Sequence, residues 1–310
     1  MSLRSILVVT DLSPQEGIAL QRAWQLAEAH RATVKLMLVP ARGQPLPRAA
    51  ASRLANTARQ LEESLGLRVT TVPVQEKAHR LEDIAAEARG MDLVVLPHRH
   101  ERSTAAFFRG QPVLRLLRHC NCPVLVARAA RGSHYRRILV TVDFTPLSQA
   151  LVKLAAKVDA HAALEIFHAI STLDESKLRS AEATEQAVRS WRTKTLRHAR
   201  ERVVALSDSF DVRRNRVATV IGRGDPGRQA VIQQEHTGAD LVVVGKQPAS
   251  AWEDFFCGSV AHRILSWGTS DVLVVPETWA QASAPVAARR MRQAGRGPAL
   301  EWQPARGRLS

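Results

Sequence analysis

Sliding the sequence along itself by 148 positions brings Asp92 onto Asp240 and Phe107-Phe108 onto Phe255-Phe256. The same shift brings Gly110 onto Gly258, Arg115 onto Arg263, Leu117 onto Leu265 and Val124-Leu125-Val126 onto Val272-Leu273-Val274. Ungapped matching over such a span is the mark of duplication, so the chain reads as two copies of one fold. Near the start of each copy, Asp11 corresponds to Asp143 at a shift of 132, which places about sixteen extra residues within the second copy.

The better preserved stretch, Asp240 to Pro276, shows what that fold is. Leu241 to Val244 is continuously apolar and β-branched, which suits a strand buried on both faces of a parallel sheet. Gly245 ends it, and Gly258-Ser259 opens a helix whose apolar positions Val260, Ile264, Leu265 and Trp267 recur at helical spacing. A helix N-terminus offers free backbone N–H groups to an anion, so this is a phosphate site in outline.

Read in order, the first copy alternates strand and helix. Residues 4–10 form a strand ending at Asp11, Ser13-Pro14 reads as N-cap and first helical position, and Ala19, Ala23, Leu26 and Ala27 make a buried stripe. Strands are expected at 33–39, 67–74, 93–96 and 124–127, with helices at 49–65, 80–89 and 113–119 between them. The second copy begins at Arg137, and its extra residues extend a helix from about Ser176 to Leu206. The fold class is α/β, with two tandem Rossmann-like domains, each a five-stranded parallel sheet with helices on both faces. Residues 1–130 and 136–278 are the expected domains, and 279–310 is a basic tail of Ala, Gly, Pro and Arg that reads as disordered.

Ligands of open parallel sheets sit at the carboxyl ends of the strands, where the strand order reverses. Those ends carry Asp11, Pro97 and the turn before Gly110 in the first copy. In the second they carry Asp143, the turn Gly222-Arg223-Gly224-Asp225-Pro226, Gly245 and Gly258.

At these positions the chain resembles the universal stress protein family in its tandem form, over about residues 4–276. Nucleotide-binding members carry a glycine, two residues, a glycine, nine residues, then Gly-Ser or Gly-Thr. The second copy keeps that spacing with Gly245, Pro248 and Gly258-Ser259, proline replacing the second glycine. In the first copy the same places hold Pro97, His100, Gly110 and Gln111. The resemblance implies a cytoplasmic, stress-response protein, dimeric or pseudo-dimeric, with ATP and its magnesium ion as the ligand where one binds and slow hydrolysis at most. It also implies that Asp143, and Asp11 in the first half, lie near an adenine.

The departures have physical consequences. Proline at 248 fixes φ and removes a donor, and Glu253 and Asp254 add negative charge to the phosphate loop. Asp143, Gly222, Arg223, Gly245, Lys246, Gly258, Ser259 and Val260 remain the candidate nucleotide residues. In the first half Asp11, Pro97, His100, Gly110 and Gln111 are degenerate equivalents, and Pro112 lacks an N–H where an anion needs one, so that domain is expected to be empty. The alternative is a scaffold that binds no nucleotide and uses the fold for dimerisation and contact with an unknown protein partner.

Other chemistry finds little support. His98, His100, His119, Cys120 and Cys122 include good zinc ligands, but strand topology separates the two groups by roughly 15 Å, one strand length. Gly-x-Ser-x-Gly is absent, and Ser13 and Ser148 read as helix caps rather than nucleophiles. A net charge of +15 invites nucleic acid, but arginine is spread over the whole chain and no aromatic-basic interleaving marks a binding face. No apolar run is long enough for a membrane span, and three cysteines make no disulfide framework.

Overall fold

The computed structural model describes residues 3–12, 17–40, 46, 48–74, 81–98, 115–128, 134–208, 217–246 and 260–283. The first half contributes β1 (Ser5–Thr10), α1 (Gly17–His30), β2 (Thr33–Leu38), α2 (Ala50–Leu65), β3 (Val69–Thr71), α3 (Leu81–Glu87), β4 (Leu93–Pro97) and β5 (Val124–Ala127). The second contributes β6 (Arg137–Thr141), α4 (Pro146–Val158), β7 (Ala163–Ile170), α5 (Leu173–Ser180) and α6 (Glu185–Asp208). It continues with β8 (Val217–Arg223), α7 (Pro226–Thr237), β9 (Leu241–Lys246), α8 (Val260–Trp267), β10 (Asp271–Pro276) and α9 (Glu277–Ser283).

All ten strands form one sheet in the order β3-β2-β1-β4-β5-β10-β9-β6-β7-β8. Within each half every pairing is parallel, and the order reverses between the first and fourth strands. The central strands β1, β4, β5, β9 and β10 are largely apolar because both faces are covered, whereas the edge strands β3 and β8 leave several positions exposed. In β1, Ile6 and Val8 face one core while Leu7 and Val9 face the other, the period-two alternation of a strand. The first core takes α1, α2, α4 and, through Val203, α6, and the second takes α3, α7 and α8.

The halves meet at β5 and β10, the one antiparallel pairing among the described residues, where Leu125 lies opposite Leu273. These are equivalent residues of the two copies, so a local twofold axis passes through the pair. A second equivalence fixes each first strand: Asp92 Oδ2 accepts the backbone N–H groups of Arg4 and Ser5 at 2.7 and 3.1 Å. Asp240 Oδ2 does the same for Arg136 and Arg137 at 2.7 and 3.2 Å.

A buried polar cluster locks the seam. Asp271, wholly buried at the start of β10, accepts Arg22 Nε at 2.8 Å and the Tyr135 hydroxyl at 2.9 Å on Oδ2. Its Oδ1 accepts the backbone N–H of Arg128 at 2.7 Å. The Arg22 guanidinium lies 4.3 Å from the Tyr135 ring centroid. Arg128, just past β5, donates from its guanidinium to the carbonyls of Leu265 and Gly268 at the C-terminal end of α8, where the helix dipole favours a cation. Burial lowers the Arg128 pKa to about 10, against the pull of Asp271.

Two expectations are corrected. The single long helix from Ser176 to Leu206 is two helices, because Glu182 turns left-handed (φ 54°) and Thr184 Oγ1 accepts the Ala187 N–H at 3.2 Å to start α6 afresh. The apolar period simply runs across the break. Ser148 is not a cap: it lies in the first turn of α4, wholly buried, and its hydroxyl donates to Asp143. Of the helix expected at 113–119, the described part is a single helical step at Arg115-Leu116 followed by a turn. The Ser13-Pro14 cap, residues 129–133 and the tail after 283 lie outside the described residues.

Candidate functional site

A cavity of about 300 Å³ opens at the carboxyl ends of β6, β7 and β9, on the side where the second half reverses its strand order. Its volume falls at the lower end of small-molecule pockets, which run from about 300 Å³. Thr141 to Asp143 form one wall, Phe167 to Ala169 another, and Val244 to Lys246 a third, with Leu147, Leu151, Pro226 and Val260 closing it. The lining is mostly apolar, with Asp143, His168 and Lys246 as its charged or titratable members.

Asp143 ends β6 in an Asx-turn. Its Oδ1 accepts the backbone N–H of Thr145 at 3.0 Å, the Thr145 hydroxyl at 2.6 Å and the Ser148 hydroxyl at 3.0 Å. The turn forces Phe144 to φ 63°. Its ring stacks on His168, with centroids 4.1 Å apart. His168 Nδ1 lies 2.8 Å from the Val142 carbonyl oxygen, which only accepts, so Nδ1 carries the proton and the neutral ring has its lone pair on Nε2. Burial holds the His168 pKa below the ordinary histidine value, with the Val142 bond and Asp143 pulling the other way.

Gly245 is required by close approach: a Cβ there would stand 2.6 Å from Leu147 Cδ2 on α4. Lys246, the next residue of β9, is 8% exposed and places its cation at the end of the sheet. Val260 begins α8 across the opening.

The structure therefore brings Asp143, Gly245, Lys246 and Val260 together around one hollow. Gly222 and Arg223 end β8 next to it, but outside the lining. Gly222 abuts the Phe167 ring, where a Cβ would meet Cζ at 2.9 Å. Arg223 is ion-paired with Glu175 of α5, a buried carboxylate that also takes Arg192 of α6 and, at 3.5 Å, Arg179. Asp225 caps α7 by accepting the Arg228 N–H at 2.8 Å, and its carboxylate meets Arg263 of α8 at 2.5 Å. Pro248, Gly258 and Ser259 lie outside the described residues.

In the first half, Asp11 precedes Leu12, whose φ of 59° matches Phe144 of the second copy, and Pro97 ends β4 opposite Ala127. Strand register puts Leu38 where the second half has His168. His100, Gly110 and Gln111 lie outside the described residues. Among the described residues no three metal-ligating side chains converge. Cys120 and Cys122 are buried, and Cys122 Sγ lies 3.7 Å from the Ala88 carbonyl oxygen. Its bond to Cys120 and its burial both raise the Cys122 pKa.

Sequence reasoning missed His168, Phe144 and Phe167. The available signal was a histidine at the end of an apolar strand where the other copy has leucine, legible only once the two copies are aligned strand by strand.

The family model for the universal stress protein family matches twice, over residues 2–128 and 134–276. Among solved structures, the fold is similar to a putative universal stress protein from Pseudomonas aeruginosa UCBPP-PA14, with 23% identity, TM-score 0.63, and coverage of 90% of this chain and 95% of that one. It is also similar to a universal stress protein from Archaeoglobus fulgidus DSM 4304, at 15% identity and TM-score 0.59, covering 88% of this chain and 98% of the other. No curated protein matches. No helix among the described residues is long and apolar enough to cross a membrane.

Proposed function

Since this chain belongs to the universal stress protein family, with one family unit in each half, we propose that it is a regulatory stress-response protein whose second half holds an adenine nucleotide, ATP with its magnesium ion. The observation that carries this reading is the hollow at the strand reversal, apolar toward Phe167 and Leu151 and cationic toward Lys246. A purine fits the apolar part. The phosphates then lie toward Lys246 and the N-terminal end of α8, where charge and free N–H groups favour an anion. The magnesium ion supplies charge neutralisation to the triphosphate when bound.

The first half has no comparable arrangement among its described residues, since Leu38 fills the register position of His168 and Pro97 stands at the strand end corresponding to Gly245. Its role in this reading is to complete an intramolecular pseudo-dimer through Leu125 and Leu273. Denaturing the purified native protein and analysing the supernatant tests the proposal, together with calorimetry against millimolar Mg-ATP. Released adenine nucleotide or a saturable heat supports it. Neither, in fresh and well-folded protein, refutes it.

A second reading is a partner scaffold that binds no nucleotide. The surface that favours it is the α5–α6 outgrowth, where Leu173 and Val204 are 70% and 51% exposed. Loss of a co-purifying partner on Leu173→Asp, with nucleotide absent from the wild type, would support that reading instead.

A further inference from the structure

We propose that His168 selects the ligand of the second-half cavity, offering Nε2 as an acceptor to a ring amino group and so favouring a 6-amino purine over a 6-oxo one. The inference rests on the nucleotide reading above and adds a residue and a rule of discrimination to it.

Two contacts fix the imidazole, and a third fixes one of its partners. Its Nδ1–H is spent on the Val142 carbonyl, which sets the tautomer and leaves Nε2 as the only remaining polar atom of the ring. Its face is held by the Phe144 ring at 4.1 Å. Phe144 is in turn held by Arg202 of α6, whose Nη2 donates to the Phe144 carbonyl at 2.6 Å while the guanidinium carbon lies 5.5 Å from the ring centroid. Half-buried, the histidine contributes to the cavity wall beside Phe167 and Ala169. An acceptor so oriented is paired by an exocyclic amine, whereas a carbonyl in the same place sets lone pair against lone pair. A site built to hydrogen-bond one group rejects the analogue that lacks it far more strongly than a merely apolar site does.

Protonation reverses the rule, because imidazolium carries a donor on Nε2. The charged groups around the ring are Asp143 from the β6–α4 turn, Lys246 from β9 and Arg202 from α6. Burial delays protonation to below the ordinary histidine range, and Asp143 partly offsets that delay.

The test is calorimetry of the full chain with Mg-ATP and Mg-ITP at alkaline and acidic pH, in the wild type, His168→Leu and His168→Gln. Leucine is what the first half carries at the same register position. At alkaline pH the wild type is expected to prefer ATP by about tenfold, one hydrogen bond's worth of discrimination. The preference should shrink or invert as the solution is acidified, vanish in His168→Leu, and lose its pH dependence in His168→Gln. An ATP preference that is unchanged by both substitutions and by pH overturns the role of His168 while the nucleotide reading stands. If neither nucleotide binds the wild type at any pH, both fall together.

Discussion

Arg202 Nη2 donates to the carbonyl oxygen of Phe144, and Arg53 Nη2 donates to the carbonyl oxygen of Leu12 at 3.0 Å, so both copies brace a left-handed residue with an arginine from a helix between the second and third strands. A side chain at positive φ costs about 1–2 kcal/mol. Both residues follow the aspartate just past the first strand, and in the second copy the turn aims that aspartate at Ser148 of the next helix. The brace offsets part of the local strain. Arg202→Ala should destabilise the protein by about 1 kcal/mol, since the arginine is exposed and its bond partly screened. Denaturant unfolding of Arg202→Ala and Arg53→Ala measures it, and no shift in either midpoint would show the contacts to be incidental.

The seam cluster predicts a larger effect. Asp271 and Arg22 are 0% and 2% exposed, so Asp271→Ala takes the carboxylate away from a buried cation, at a cost of about 3–5 kcal/mol. Replacing both, as Arg22→Met with Asp271→Leu, removes the desolvated charges together and should recover part of the loss, the remainder reflecting the acceptor that the Tyr135 hydroxyl and the Arg128 N–H also lose. Thermal unfolding of the two single variants and the double variant decides it. Additive losses would mean that the two side chains are not coupled.

Tyr135, the chain's single tyrosine, gives that seam a spectroscopic reporter. Burial first, and then the charge of Asp271, raise its pKa well above the usual phenol value. A folded-state pKa above the unfolded one means that the phenol's contribution to stability is complete below about pH 10 and is lost as pH rises further. Tyrosinate absorbance should therefore stay absent in the native protein past pH 10 and emerge only with global unfolding. Titration of the native protein near the ordinary value would contradict the burial.

The strands were legible because doubly covered parallel strands are unbroken β-branched runs, as in Leu93–Leu96 and Leu241–Val244. Asp143, Gly245, Lys246 and Val260 were legible because they stand at strand ends or a helix start, where one local pattern suffices. His168, Phe144 and Arg202 were not, because their meeting depends on the register of β6 against β7 and on the path of α6 back across the sheet. Nor was the break at Glu182, which leaves the apolar period intact. The pairing of Arg223 with Glu175 was not legible either, because Glu175 stands on α5 and reaches the end of β8 only through the tertiary fold.

Gly245 has two physical readings, close approach of a phosphate and close approach of α4, and a substitution separates them. Gly245→Ala should cost about 1–3 kcal/mol by overpacking against Leu147. Adding Leu147→Ala opens that space, so the double variant should unfold at a midpoint closer to that of Leu147→Ala alone than the sum of the two losses allows. Strict additivity would leave helix packing out of the account.

Glu175 couples stability to the site in opposite directions. Its carboxylate is buried while the Arg179 and Arg223 side chains are each 49% exposed, so much of the attraction is screened and Glu175→Gln should cost about 1–2 kcal/mol. The same change removes a negative charge beside the Gly222-Arg223 end of β8 and releases Arg223 toward the mouth of the cavity. Binding of Mg-ATP should then tighten a few-fold even as the unfolding midpoint falls, and the gain should shrink at high salt because it is a charge effect. Reading both quantities on the same protein separates the possibilities. A fall in stability with unchanged affinity at low salt would assign Arg223 to fastening α5 and α6 onto the sheet and to nothing at the nucleotide.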